Sequence, residues 1–241
     1  MSEFILDLDV GNSYTKWRVS AESGRVKNED IGQLEKLIAS RPSRIRIACV
    51  AANACKVELI DTLRLKFNCE PEFARPAVAC AGMCNGYKHP EMLGVDRWLA
   101  GLAVWAQSNS NPCLVVDAGS ALTIDTIDDK GIFLGGYIIP GLVMMQQSLI
   151  NNAAEIICDI ESNSPEGCLG VPSDTAEAVQ WGAGFAISAI VEKAVEVFLR
   201  CWPHGTVRIT GGNGADLAEK LSMIDKFKPD LVLDGLALAL P

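Results

Sequence analysis

Histidine is scarce in this chain: His89 and His204 are the only two among 241 residues, and each adjoins a proline. So small a stock of bases that titrate near neutrality leaves little for Ser–His or Cys–His nucleophilic chemistry. The nine cysteines include no C-x-x-C pair, which argues against a zinc ribbon or a dithiol redox centre and for reduced, mostly buried thiols. The G-x-x-x-x-G-K-[ST] phosphate loop is also missing, so a nucleotide must be held by another geometry. Basic residues number 21 against 30 acidic ones, a net charge of −9. That balance excludes a broad nucleic-acid or anionic-membrane surface, and any phosphate ligand needs local help.

Long apolar runs are missing as well. The longest uncharged stretch, Gly131 to Ala154, is interrupted by Gly135, Gly136, Pro140 and Gly141 and reads as core strand and loop, not as a membrane helix. The first residues carry Asp7 and Asp9 inside their apolar run and no basic leader, so a signal peptide is not indicated and a cytoplasmic location is expected. What the chain does have is apolar material, 49% against 21% charged residues, enough for a sizeable core.

It also has a repeat. Asp9-Val-Gly-Asn-Ser-Tyr-Thr15 and Asp117-Ala-Gly-Ser-Ala-Leu-Thr123 share the pattern D-x-G-x-x-x-T, 108 residues apart. Each copy lies between two apolar runs, Phe4 to Leu8 and Trp17 to Val19 in the first, Cys113 to Val116 and Leu122 to Ile127 in the second. A run, a glycine turn and a second run predict a β-hairpin. Arg44 to Ala51 then reads as a strand and Gly94 to Gln107 as a helix with Val95, Trp98, Leu99, Leu102 and Trp105 on one face. In the second half Thr175 to Arg200 reads as a long helix, Thr206 to Thr210 as a strand and Ala215 to Leu221 as a short helix. Two similar α/β lobes with a cleft between them are implied, residues 1–112 and 113–241.

The chemistry concentrates at the glycine turns. An Asp at the end of a buried strand can hold Mg²⁺ directly or through water, and the glycines beside it, Gly11 and Gly119, let backbone N–H groups approach phosphate oxygens. Asn12, Ser13, Thr15 and Ser120 add neutral donors, and Lys16 either neutralises phosphate or is a solvated side chain. Gly211-Gly212-Asn213-Gly214 lies between a strand and a helix, where it is either a seat for a flat or anionic ligand or an ordinary connecting loop. Asp96 and Arg97 open an amphipathic helix. Asp96 suits a first helical turn on electrostatic grounds alone. It also suits the acceptance of a proton from an attacking hydroxyl, with Arg97 forking a substrate carboxylate.

Taken in order, Asp9-Val-Gly-Asn-Ser, Gly94-Val-Asp-Arg97, Asp117-Ala-Gly-Ser-Ala, Gly135-Gly-Tyr-Ile-Ile-Pro-Gly141 and Thr210-Gly-Gly resemble the type III pantothenate kinases over nearly the whole chain. The resemblance implies a duplicated ribonuclease-H-like fold of the actin-like ATPase class, a homodimer, and ATP-dependent phosphorylation of pantothenate, the first step of coenzyme A biosynthesis. It implies that Asp9, Val10, Gly11, Asn12, Ser13, Tyr14, Thr15 and Lys16 form the first phosphate loop, with Mg²⁺ at Asp9. Ser120 would contact ATP from the second loop, Asp117 would help hold K⁺ or NH₄⁺, and Gly211 and Gly212 would meet the adenosine. Tyr87, Gly94, Val95, Asp96, Arg97 and Thr175 correspond to pantothenate-binding positions, with Asp96 as the proton acceptor. Ser13 and Ser120 stand where many members have Thr, and both keep a hydroxyl. The alternatives are a non-catalytic regulator on the same fold, or a sugar or acetate kinase sharing both loops.

Overall fold

The structure is a computed structural model that describes residues 4–34, 38, 41–51, 53–153, 156 and 171–241. The chain divides into two compact units, one built from residues 1–113, 125–135 and 230–241, the other from 114–124 and 136–229.

In the first unit β1 (Ile5–Val10), β2 (Tyr14–Val19), β3 (Glu22–Lys27), β4 (Arg44–Cys49) and β5 (Pro71–Phe73) form one sheet in the order β3-β2-β1-β4-β5. β1 and β2 are antiparallel, as the glycine turn requires, and β1 and β4 are parallel. Leu6, Leu8 and Val10 enter a core with Ile45, Ile47, Leu59 and Leu63, the last two from α1 (Asn53–Phe67). Strand alternation places Asp7 and Asp9 on the opposite face. That face receives α6 (Leu231–Ala239), which packs on β1, β4 and α2 (Val95–Gln107). α2 is buried at Val95 and throughout Arg97 to Trp105, not on one face alone. Gly235 makes the close approach of α6 possible, since a Cβ there would overlap the backbone of Leu99. Each fully buried Leu or Ile here contributes about 1.5–3 kcal/mol.

The second sheet carries β8 (Cys113–Ala118), β9 (Ala121–Ile127), β10 (Ile132–Pro140) and β11 (Thr206–Thr210) in the order β11-β8-β9-β10, with Cys113 and residues 125–135 counted in the first unit and the remainder in the second. Reversed, this is the arrangement of β3-β2-β1-β4, so the repeat seen in sequence is a repeat of strand order, as in a duplicated ribonuclease-H-like fold. The core of the second unit joins Leu114, Val116, Leu122 and Ile124 to Ile187, Val191 and Phe198 of α4 (Thr175–Cys201), with Leu217 of α5 (Gly214–Lys220). α4 opens on a reciprocal cap: Asp174 accepts from the Glu177 N–H at 2.9 Å, and Glu177 accepts from the Ser173 N–H at 3.0 Å.

Two expectations need correction. The stretch read as core strand and loop is β10 followed by a helix, α3 (Leu142–Asn152); Ala154 lies outside the described residues. Phe133 is the one buried residue of β10. The glycines and proline that suggested a loop are confined to residues 131–141, and the breaker-free 142–152 segment coils. Of Cys49, Cys69, Cys80, Cys84, Cys113 and Cys201 only Cys113 is buried, while Cys84 and Cys201 are exposed.

Among the described residues no helix is long and apolar enough to cross a membrane.

Candidate functional site

The first D-x-G turn closes through the Gly11 N–H, which donates to the Tyr14 carbonyl at 3.1 Å. Asn28, a residue the sequence did not mark, braces it. Its Nδ2 donates to the Gly11 carbonyl at 2.8 Å, its Oδ1 accepts from Thr15 Oγ1 at 2.8 Å, and its N–H donates to the Ser13 carbonyl at 3.1 Å. Thr15 is fully buried, so its hydroxyl serves the loop's own architecture, and Val10 belongs to the core. Asn12, Ser13 and Tyr14 are exposed, and Asp9 stands opposite Lys16 across the hairpin. The second repeat buries its threonine as well, Thr123. In both copies, then, the D-x-G portion forms the turn and the Thr anchors the following strand.

The second turn is a corner where three glycines meet. The Gly119 N–H donates to the Ala121 carbonyl at 3.1 Å and the Gly141 N–H to the Ser120 carbonyl at 3.1 Å. The Asn213 N–H donates to the Ala118 carbonyl at 3.0 Å. A Cβ on Gly141 would sit 2.5 Å from the Gly119 and Ser120 carbonyl oxygens. Gly211, at φ 93°, is in the left-handed region, and a Cβ there would fall on the Asp117 carboxylate and the Ala118 backbone. The Gly211–Gly214 turn therefore lies directly against the second D-x-G loop. An open pocket lies alongside, bounded by Gly119, Gly141, Ser188, Asn213, Asp216 and Leu217.

Gly94 caps α2, and Asp96 Oδ1 accepts the Arg97 N–H at 2.8 Å. A side chain at position 94 would crowd that oxygen, with its Cβ 2.6 Å away, so the glycine leaves room for the Asp96 carboxylate in this position. The second Asp96 oxygen is engaged by no described residue. Val95 is buried in the core.

Arg97 is also buried, and it does not depend on a ligand for its counter-charge. Its Nε donates to both oxygens of Asp125, at 3.1 and 3.0 Å, and its Nη2 donates to Oδ1. Nη1 donates to Tyr87 Oη at 2.7 Å. Burial works against the arginine's charge, but the bonds to Asp125 and its negative charge outweigh that and hold the guanidinium pKa above its ordinary value. One edge of the fork is thus committed to Asp125, and what is left for a carboxylate is the outer Nη1 and Nη2 hydrogens. The sequence signal for Asp125 was only an aspartate within the apolar run Ala121 to Ile127.

Tyr87 follows β7 (Met83–Asn85), which pairs with β6 (Ala79–Cys80) and with Ile132 and Phe133 of β10. Its N–H donates to Asn85 Oδ1 at 3.0 Å. The glycine segment of β10 has its explanation here, because a Cβ on Gly135 would lie 3.1 Å from Tyr87 Cε1. Tyr87, Gly94, Asp96, Arg97 and Asp125 belong to the first unit, together with the Asp9 loop; Asp117, Ser120, Gly211, Gly212 and the exposed Thr175 belong to the second.

The sequence model of the type III pantothenate kinase family matches residues 5–197. A type III pantothenate kinase of Pseudomonas savastanoi pv. phaseolicola is 34% identical over 248 aligned positions, covering 98% of this chain and 99% of that one. One from Azotobacter vinelandii is 33% identical over 249, covering 98% of each. Among solved structures, a Campylobacter jejuni protein described as a candidate Baf family transcriptional activator superposes with a TM-score of 0.62 at 20% identity, covering 96% of this chain and 95% of that one. The ethanolamine utilization protein EutJ of Carboxydothermus hydrogenoformans does so at 0.50 and 13%, covering 98% and 88%. At those identities the two structures speak for the fold alone.

Proposed function

The chain belongs to the type III pantothenate kinase family, and from that premise we propose that it transfers the γ-phosphoryl group of ATP to the primary hydroxyl of pantothenate, opening coenzyme A biosynthesis. The observation that carries this reading is the pair of D-x-G turns, one in each unit, together with Asp96 at the capped start of α2.

Phosphoryl transfer passes through a loose transition state, so the protein's task is placement and charge neutralisation. In this reading the Gly11 to Lys16 loop and the Ser120 loop receive the phosphates, and the Gly211 turn receives the adenosine. Asp96 accepts the proton of the pantothenate hydroxyl as the new P–O bond forms, while Tyr87, Arg97 and Thr175 hold the rest of the substrate. Asp9 would hold Mg²⁺. A partly exposed carboxylate at a strand end fits that ion, which keeps most of its waters and takes only one or two protein carboxylates. Mg²⁺ bound there would neutralise charge on the ATP phosphates. Asp117, walled by Gly119 and Gly211, would hold K⁺ or NH₄⁺. A homodimer is the assembly we favour; its support is the apolar surface left open on the second unit at Tyr137, Ile138, Val143, Met144 and Phe185, the last 78% exposed.

The decisive assay follows ATP consumption with pantothenate, acetate and hexoses offered separately. Turnover is expected with pantothenate alone and should fall when sodium replaces potassium; turnover confined to acetate or a hexose, or none with any acceptor, would discard the substrate assignment. Gly211→Ala gives a narrower prediction. The new methyl group has no room and the backbone angle becomes strained, so the KM for ATP should rise about tenfold or more while that for pantothenate stays within about twofold. Equal changes in both would place the turn outside the nucleotide site.

A further inference from the structure

Asp125 sits in the middle of β9 with 2% of its surface exposed, and no motif announces it. Three hydrogen bonds tie its carboxylate to Arg97. Nε and Nη2 of that side chain are held on the carboxylate, and the remaining terminal nitrogen, Nη1, donates to the Tyr87 hydroxyl at 2.7 Å. A guanidinium has donors only. The phenolic oxygen must therefore accept, and the proton of Tyr87 is turned away from Arg97, ready to be donated elsewhere. The phenol ring is fixed in turn. The guanidinium lies 5.6 Å from its centroid, Phe133 meets it at 6.1 Å in an edge contact, and Gly135 leaves space for it.

We propose that Asp125 is a positioning residue for substrate recognition: it clamps and neutralises Arg97 and, through Arg97, sets the Tyr87 hydroxyl as a hydrogen-bond donor to the acceptor substrate. The proposal rests on the reading that Tyr87 and Arg97 meet pantothenate. It changes what Arg97 contributes. With its charge offset by a buried carboxylate, the guanidinium attracts an anion only weakly at a distance and acts instead through the direction of its remaining N–H groups and of the tyrosine it orients. The site then selects by geometry more than by charge.

A double-mutant cycle of Asp125→Asn and Tyr87→Phe, followed both by urea unfolding and by steady-state kinetics on the purified full chain, tests this. Each single change should raise the KM for pantothenate about tenfold, the size expected for losing one hydrogen bond to or through a charged group. The KM for ATP should stay within about twofold. The double variant should be no worse than about the poorer single, and the two changes should be non-additive in unfolding. Effects that multiply to about a hundredfold would overturn the relay, as would equal rises for ATP and pantothenate, the signature of a site that has merely loosened. If Asp125→Asn does not fold, Asp125→Glu takes its place in the cycle, keeping the charge while lengthening the arm. Coupling in unfolding without any wild-type turnover of pantothenate would sink the substrate reading and leave the relay standing. Turnover with no coupling would sink the relay alone.

Discussion

Asp96→Asn should lower kcat by about a thousandfold, in the middle of the range for losing a general base, and leave the thermal unfolding midpoint within about 1 °C. The two halves of that expectation come from different atoms of one side chain. Oδ1 accepts the Arg97 N–H at the start of α2, and an amide oxygen serves that bond equally well. The loss of a negative charge in the first turn costs only a few tenths of a kcal/mol at a partly exposed position. What asparagine cannot do is take up a proton. A purified variant that turns over at the wild-type rate removes Asp96 from the proton transfer, and a large fall in the unfolding midpoint assigns the lost activity to structure.

Arg46→Ala should have the opposite signature, a weakened fold caused at a position remote in sequence from both phosphate loops. Arg46 stands beside Asp7 in the parallel β1–β4 register and forks it, Nε to Oδ1 at 2.7 Å and Nη2 to Oδ2 at 3.0 Å, with both side chains buried. Its Nη1 donates to the Leu240 carbonyl at 2.8 Å. Arg18, from the strand on the other side of β1, reaches Asp7 only at 3.5 Å and is itself drawn to Asp234 at 2.5 Å. Truncating Arg46 therefore strands a buried carboxylate with one distant counter-charge, and breaking such a pair costs about 3–5 kcal/mol. Arg18 offsets part of this, so the lower end is expected, a fall of roughly 6–12 °C in the unfolding midpoint for a chain of this size. Replacing the pair together, Asp7→Leu with Arg46→Met, should recover most of the loss, because neither charge is then left alone. A single variant that melts with the wild type would show the pair to be energetically idle.

How much of this was open to sequence reading depends on whether a feature is made by neighbours along the chain. The D-x-G repeat, the strand after it and the start of α2 are local: a glycine turn between apolar runs, or an Asp beside a helix cap, carries its geometry within a few residues. Both hairpins form as read, and their duplication reappears as matching strand order. Asn28 and Asp125 were invisible because each acts on a partner 17 or 28 positions away, and an Asn or Asp in isolation says nothing of what it will meet. α3 was hidden behind the glycines and proline that precede it. α6 was passed over because it is apolar nearly all round, a pattern that gives no face until the partner helix is known.

That last helix also sets an order of events. Residues 230–241 are made after the whole second unit, yet they cover β1 and α2 of the first. On a ribosome adding about 5–20 residues per second, α2 waits for roughly ten seconds with the groove for Gly235 open and Asp234 not yet synthesised to meet Arg18. The first unit begins earliest and closes latest. Until it closes, the emerging chain shows an uncovered apolar helix to its surroundings, the kind of surface that favours association during synthesis.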